Sequence, residues 1–358
     1  MKKPRKIALI ISASLASAIV TYFGGGLIIT SIASENFINK RYSDVSTLKD
    51  DFYRVQKVRT DYPSLNNREE ISFKSGKETL MGYLYESTSP KGVIIMAHGV
   101  NNQADGNSAP MQDYYVNHNY DVFAIDLTGC GRSTGKGIKS LHESRYCVAN
   151  AVKTVKNLDK TKDLPIFLIG HSWGAYGVVA ATQDVDGVKA VAAFSGYNKP
   201  NDMTYGFAES YTSSIVAVTK PSLDFSLSIL CGTDSFFSAE TAIRNNTDVQ
   251  YVVIHGDRDN TVPLKKYSLY DNIVRDNYSN VTPILLNGVT HGAPWKTIDA
   301  MEYTGEVEKG LANLRKQYKG NLPDEVREEY LSSFDKERTS VVNADLLNQI
   351  DEIFTSHI

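Results

Sequence analysis

Three polar residues, far apart in the chain, have the types and settings needed for nucleophilic acyl transfer. The first is Ser172, in "GHSWG" at 170–174, between the apolar run "LPIFLIG" and the Ala/Val-rich run "AYGVVAAT". A strand that ends at one glycine and turns sharply into a helix after the next forces its central residue toward strained backbone angles. Only small neighbours fit such a bend, and the hydroxyl is held above the sheet edge. A serine hydroxyl is a weak nucleophile until a base takes its proton. Seven histidines are available. His171 adjoins Ser172 and must point elsewhere. His98 and His255 end the apolar runs "GVIIMAHG" and "VQYVVIHGD", His118 and His142 lie in loop or helix-like stretches, and His357 is at the tail. His291 follows the last apolar run, in "LLNGVTHGAPW", where a base at a strand's carboxyl end can reach the serine. The base needs an acid to orient it. "HGDRDNTVP" supplies two, Asp257 and Asp259. Asp257 is close enough to its strand to cap the turn, whereas Asp259 is far enough along the loop to be carried over to the imidazole. The expected triad is Ser172, Asp259 and His291.

These residues need a sheet to hold them. From about residue 70 the chain alternates short apolar runs with segments of helical spacing. "EEISFKS" and "ETLMGYLYES", separated by Gly-Lys, alternate apolar and polar residues and predict an antiparallel hairpin. "GVIIMAHG", "YDVFAIDL", "LPIFLIG", "VKAVAAFSG", "VQYVVIHGD" and "TPILLNG" are continuously apolar, as strands buried on both faces are. Between two of them, Cys147, Ala151, Val152 and Val155 recur at helical spacing. Alternation of strand and helix predicts an α/β fold with a mostly parallel central sheet and right-handed crossovers, and sites at the strands' carboxyl ends.

Several motifs together resemble the α/β-hydrolase superfamily, most closely its serine aminopeptidase-like and monoacylglycerol-lipase-like branch. They are "AHG" (97–99), "DLTGCGRSTG" (126–135), "GHSWG", "HGDRDNTVP" (255–263) and "GVTHG" (288–292). Asp126 to Gly135 fit every fixed position of D-x-x-G-x-G-x-S-x-G. Ala175 departs from a second glycine that relatives often carry after the elbow. The order Ser, Asp, His is that of the superfamily. The resemblance implies an oxyanion hole made by the backbone N–H groups of Val100 and Trp173. It also implies a cap at about 197–249, where Tyr197, Tyr205, Phe207, Tyr211, Phe225, Phe236 and Phe237 either line an acyl pocket or pack the cap on the sheet. A further helical insertion is expected at about 293–340. In it Val307, Leu311, Leu314 and Tyr318, then Val326, Tyr330 and Phe334, make two apolar faces that pack on the body. "NADLLNQIDEIF" resembles the family's last sheet-packing helix.

The start of the chain is of another kind. Lys2, Lys3, Arg5 and Lys6 precede a run from Ile7 to Ser34 with no charged residue. About 20 helical residues cross a bilayer's hydrocarbon core, so residues 7–33 read as a transmembrane anchor, with basic residues 1–6 cytoplasmic and the rest of the chain outside. Ser31-Ile32-Ala33 also fits a small-x-small cleavage site, which would make the run a signal peptide and the protein secreted. Residues 34–69 form a linker with a helix expected around "SDVSTLKDDFYRVQKV", and 70–358 form the hydrolase domain.

The remaining composition narrows the choices. A net charge of −3 over 358 residues gives no electrostatic footprint for nucleic acid. The three cysteines, Cys130, Cys147 and Cys231, are too few for a disulfide scaffold and read as small apolar residues. No CxxC, HExxH or phosphate-loop motif is present, so neither metal nor cofactor is expected. The sequence thus predicts a membrane-anchored extracytoplasmic serine hydrolase of small carboxylic esters. Peptidase or acyltransferase action on the same fold is the alternative, and a non-catalytic surface binding protein the alternative of another class.

Overall fold

The structure is a computed structural model describing residues 3–33, 41, 54–137, 140–212 and 216–358. Eight strands build one sheet: β1 (Glu69–Ser75), β2 (Glu78–Tyr85), β3 (Val93–Ala97), β4 (Asp121–Asp126), β5 (Ile166–His171), β6 (Val188–Phe194), β7 (Gln250–Gly256) and β8 (Val281–Leu286). Their spatial order is β1-β2-β4-β3-β5-β6-β7-β8. The first two strands are antiparallel, joined through Gly76 at φ 58°, and every pair from β4 to β8 is parallel. The order reverses around β3, whose neighbours are β4 and β5. This switch point opens a crevice at the carboxyl ends of β3 and β5.

The helices are α1 (Lys3–Ala33), α2 (Ala109–Asn117), α3 (Glu143–Val155), α4 (Trp173–Ala181), α5 (Pro200–Thr212), α6 (Val216–Cys231), α7 (Ala239–Asn245), α8 (Leu269–Asp276), α9 (Ile298–Gln317), α10 (Asp324–Ser332), α11 (Lys336–Thr339) and α12 (Ala344–Thr355). Each sheet face has its own core, because successive strand side chains point to opposite faces. Ile95, Ile125, Leu168, Val191 and Val253 meet α3, α4, α7 and α8 on one side. Ile94, Val122, Phe167, Ile169 and Ile254 meet α2 and α12 on the other, where Phe167 stacks on Phe354 with ring centres 4.6 Å apart. Cys147, Ala151, Val152 and Val155 are the buried stripe of α3, as their spacing predicts.

Three expectations change. β8 is an edge strand with alternating exposure rather than a doubly buried one, because β7 is its sole partner. The insertion after residue 293 forms its own small core, Val55, Val307, Leu311 and Leu331, with Tyr330 and Phe334 at its rim. It closes on the segment entering the domain, where Thr339 Oγ1 donates to Val55 O at 2.6 Å and Lys296 Nζ to Gln56 Oε1 at 3.0 Å. Toward the end of α9 the predicted stripe fades and Tyr318 is exposed. The helix expected around 43–58 falls mostly outside the described residues. The side chains of α1 are described only within 14–31, and among the described residues no helix is long and apolar enough to cross a membrane. The span expected over 7–33 is therefore not supplied by them.

Candidate active site

Ser172 sits between β5 and α4 with φ 53° and ψ −111°, a region that side-chain-bearing residues avoid. Two tight contacts enforce it. A Cβ on Gly170 would lie 2.3 Å from Gly174 O, and one on Gly174 would lie 2.1 Å from Ala97 O. Any side chain at either position would push β5 off α4, or α4 off β3. The Ser172 N–H donates to Phe194 O at 2.8 Å, which ties the elbow to the next strand.

His291, in the loop after β8, reaches the elbow from the far end of the sheet. Ser172 Oγ lies 2.9 Å from His291 Nε2, and His291 Nδ1 lies 2.7 Å from Asp259 Oδ2. With Nδ1–H donating to the carboxylate, Nε2 is left as the acceptor for the serine proton. Asp259 is buried, and its other oxygen accepts from the N–H groups of Thr261 (2.9 Å) and Val262 (2.8 Å). Burial works to raise its pKa, but the His291 bond and charge and the Val262 N–H outweigh that and hold it below the ordinary value. The carboxylate stays ionised at neutral pH. Asp257 is exposed and accepts from Gly288 N–H at 2.7 Å, so it caps the turn before His291. The two acids therefore divide as their distance from the strand predicts.

The turn after β3 abuts Ser172. A Cβ on Gly99 would fall 3.3 Å from Ser172 Cβ. Val100 follows in this turn, and Trp173 opens α4, where a first-turn N–H has no helical carbonyl to bond. The turn that carries Val100 thus passes Ser172 at Gly99, and Trp173 follows Ser172 in the chain.

Two further histidines position this layer, and elimination on the sequence passed over them. His98 is buried, with burial pushing its pKa down to about 4. Its Nδ1–H donates to Gly99 O at 2.7 Å, and its Nε2 accepts from Leu127 N–H at 3.1 Å. It joins the turn after β3 to the start of the loop after β4. His171 is pushed down to about 3, first by burial and then by the nearby His291 charge. Its Nε2–H donates to His291 O at 2.8 Å, so it fixes the backbone of His291. The legible signal for both was a histidine ending a wholly apolar strand, where it must be satisfied by backbone.

The 126–135 loop is built around Asp126. The buried carboxylate accepts from Ala104 N–H, Arg132 N–H and Tyr83 OH at 2.9, 2.9 and 3.0 Å. Burial raises its pKa to about 6. Gly131, at φ 47°, lies so close that a Cβ would sit 2.2 Å from Asp126 Oδ2. From the segment before the domain, Arg41 donates to the carbonyls of Gly131, Ser133 and Gly135 at 2.9, 2.8 and 3.0 Å.

Of the cap aromatics, Tyr197 and Tyr205 are buried and pack. Tyr197 stacks on Tyr176 and donates to Leu141 O at 3.1 Å, the carbonyl that also accepts from Trp173 Nε1 at 2.9 Å. Tyr205 OH donates to Asp224. Phe237 lies under the Arg145 guanidinium, and Phe225 faces outward. The side chains of Phe207 and Tyr211 are outside the described residues. A small cavity remains under the cap, lined by Leu141, Asn201, Thr204, Leu227 and Cys231.

Comparison with known proteins bears on the fold that carries these residues. A family model described as serine aminopeptidase, S33, matches residues 88–253, which include Ser172 but neither Asp259 nor His291. A caffeoylshikimate esterase of Arabidopsis thaliana is 28% identical over 128 residues, covering 35% of this chain. The matched stretch covers 37% of that protein, so the chain spans well under half the length of this relative. A solved esterase structure from Pyrococcus furiosus superimposes with a TM-score of 0.50 at 17% identity, covering 69% of this chain and 91% of that one. With its eight-stranded, mostly parallel sheet and helices on both faces, the chain has the α/β-hydrolase fold.

Proposed function

We propose that the chain is a serine hydrolase of carboxylic esters with Ser172, His291 and Asp259 as its triad. The observation that carries this is the unbroken hydrogen-bond line from Asp259 through His291 to Ser172, at 2.7 and 2.9 Å, on a strained elbow. Ser172 Oγ attacks the ester carbonyl carbon while its proton passes to His291 Nε2. The oxyanion that forms accepts from the N–H groups of Val100 and Trp173, each worth about 3 kcal/mol to such a state. The tetrahedral adduct collapses, His291 returns the proton to the leaving alkoxide, and an alcohol departs. Water then attacks the acyl-serine with His291 as base, releasing the carboxylic acid and restoring Ser172. Asp259 stays ionised throughout and keeps the imidazole in its working tautomer. An ester is favoured over an amide because an alkoxide leaves with less protonation than an amine. The esterase relatives support the same choice.

The N-terminal run sits in a bilayer in this proposal, with Lys2, Lys3, Arg5 and Lys6 cytoplasmic and the catalytic domain outside the cytoplasm. Support comes from α1 itself. Residues 14–21 are all exposed among the described residues, and Leu15, Ile19 and Val20 are 61%, 49% and 70% exposed. A charge-free, apolar stretch of helix exposed around its circumference suits lipid rather than water.

A fluorophosphonate probe tests the chemistry. The wild-type protein should label and Ser172→Ala should not. Folded wild type that stays unlabelled would leave a binding protein on a hydrolase scaffold as the better reading. A panel of esters beside aminoacyl amides separates esterase from peptidase action. For topology, protease added to intact cells should digest the domain. A domain digestible only after lysis would invert the orientation, and release with a new N-terminus near Ser34 would make the run a cleaved signal.

A further inference from the structure

Asp259 holds the His291 ring at one atom, Nδ1. A ring held at one atom can pivot unless its backbone is fixed as well. Gly292, the next residue, is exposed, and a Cβ there would meet nothing within 4 Å. Packing therefore does not fix the chain on this side of His291, and two side-chain hydrogen bonds do. His171 Nε2–H donates to His291 O at 2.8 Å, and Asn107 Nδ2–H donates to Gly292 O at 3.1 Å. Two successive carbonyls are thus held from two elements, the end of β5 and the loop between β3 and α2. His171 and Asn107 are both buried, and both line a small cavity with His98, Gly99 and Trp295, so little packing stands behind either bond.

The orientation of Asn107 follows from its partners. A peptide carbonyl only accepts, so the amide nitrogen of Asn107 must face Gly292 O. Its oxygen then accepts from Asn102 Nδ2, and the Asn102 oxygen accepts from Gln103 N–H at 2.8 Å. Gly106 makes room for this fold, since a Cβ there would fall 1.7 Å from Asn102 Oδ1. The middle of the loop is anchored separately. Ala104 N–H donates to Asp126 at 2.9 Å, and Ala104 O accepts from Gln112 Nε2 at 2.6 Å. The Asp105 carboxylate takes the Arg68 guanidinium and the Tyr85 hydroxyl. Asn107 therefore reaches the His291 loop from a rigid support.

We propose that Asn107, oriented by Asn102, is a positioning residue for the reaction: it braces the loop of the general base against the loop that starts at the Gly99–Val100 turn. This rests on the hydrolase reading above. His291 must take the serine proton and return it without its Nε2 leaving the line to Ser172, and a misplacement of about 1 Å can cost about 10²-fold in rate. Asparagine suits the task because one short side chain both donates to the carbonyl and accepts from Asn102. An aspartate of the same shape has no hydrogen to give at neutral pH.

The test uses the full chain and a soluble short-chain ester. Asn107→Leu should lower kcat by about tenfold and leave KM within about twofold, because substrate contacts are untouched. Asn107→Asp, which keeps the shape and turns a carboxylate on Gly292 O, should be at least as damaging. Asn102→Ala, which removes only the orienting donor, should cost about threefold in kcat. The downfield proton resonance of His291 Nδ1–H, identified by its loss in Asp259→Asn, should weaken in both Asn107 variants as the loop loosens. Wild-type kcat in Asn107→Asp would show that shape and not the donor matters, and would overturn the proposal. So would a rise in KM at constant kcat, or an undisturbed resonance. If Asn107→Leu fails to fold, the isosteric Asn107→Asp and Asn102→Ala decide the matter. A folded wild-type chain that turns over no ester would sink the hydrolase reading, and the resonance would still decide whether Asn107 holds His291.

Discussion

The nucleophile elbow and the contact between α1 and α6 both depend on a glycine at a tight crossing, but the atoms opposite the glycine differ. At the elbow they are backbone: Gly174 faces Ala97 O and Gly170 faces Gly174 O. At the cap the nearest is the end of a side chain, Ser222 Oγ, 1.8 Å from a Cβ on Gly26, with Ser222 Cβ and O at 2.9 and 3.0 Å behind it. Backbone in a fully buried sheet cannot yield without moving strands, whereas a serine can change rotamer. The elbow is therefore fixed, while the cap can shift. That difference suits a centre that must hold three groups in line and a cover that must admit substrate.

The largest effect lies on the fixed side. Ser172→Ala should lower ester turnover by about 10³-fold or more while the unfolding midpoint is kept. Asp259→Asn should cost a comparable factor, because the imidazole loses the acceptor that sets its tautomer. Asp257→Ala, which loses a turn cap, should cost much less. If Asp257→Ala were the more damaging change, the two acids would exchange roles.

The two glycines test the comparison directly. Gly174→Ala should destabilise by about 3 kcal/mol and cut turnover by about 10²-fold, since α4 must retreat from Ala97 and carry the elbow with it. Gly26→Ala should cost less, about 1–2 kcal/mol, because Ser222 Oγ can rotate away and only its Cβ and carbonyl, 2.9 and 3.0 Å from the added methyl, must then give. Equal losses in urea unfolding of the two variants would erase the distinction.

Acid stability sharpens it further. His98 and His171 are neutral in the fold, with pKa values pushed down to about 4 and about 3 by burial, and each takes a proton near 6.5 once unfolded. Between those limits the unfolded chain binds more protons, so stability falls as pH drops. The slope is about 1.4 kcal/mol per pH unit for each histidine. Both side chains belong to the catalytic layer, so the loss should appear in denaturant midpoints compared at pH 7 and pH 5. A midpoint independent of pH in that window would mean that the two histidines are charged in the fold.

The same division sets what was legible in the sequence. The elbow was readable because backbone constraints leave local marks: glycines two residues either side of Ser172, and an apolar strand that ends in a polar residue. Asp259 and His291 were readable from strand ends and from chain order. The roles of His98 and His171 were not, because each is defined by a partner distant in sequence, Leu127 and the His291 carbonyl. In the cap, aromatic side chains share a composition but not a role. Tyr197 packs inward and Phe225 faces out, and no spacing separates them. The face of α9 was read as longer than it is, since a period shows which side is apolar but not how far the neighbouring element extends.

The smallest expected effect tests how far the rigid region extends. Arg41 lies ahead of the domain, yet its guanidinium holds three carbonyls of the 126–135 loop. That loop begins beside Leu127, whose N–H holds His98, and His98 in turn holds the carbonyl of Gly99 next to the oxyanion turn. Arg41 is itself exposed, so water replaces much of what its removal takes away. Arg41→Ala should therefore cost only about 1 kcal/mol of stability. Because the loop's own anchors on Asp126 remain, the turn beside Ser172 should shift little, and kcat should fall by no more than about threefold. Arg41→Lys should restore little, since a single ammonium lacks the two-nitrogen fork that reaches the three carbonyls. A loss of kcat as large as that of Gly174→Ala would extend the fixed region to the segment before the domain.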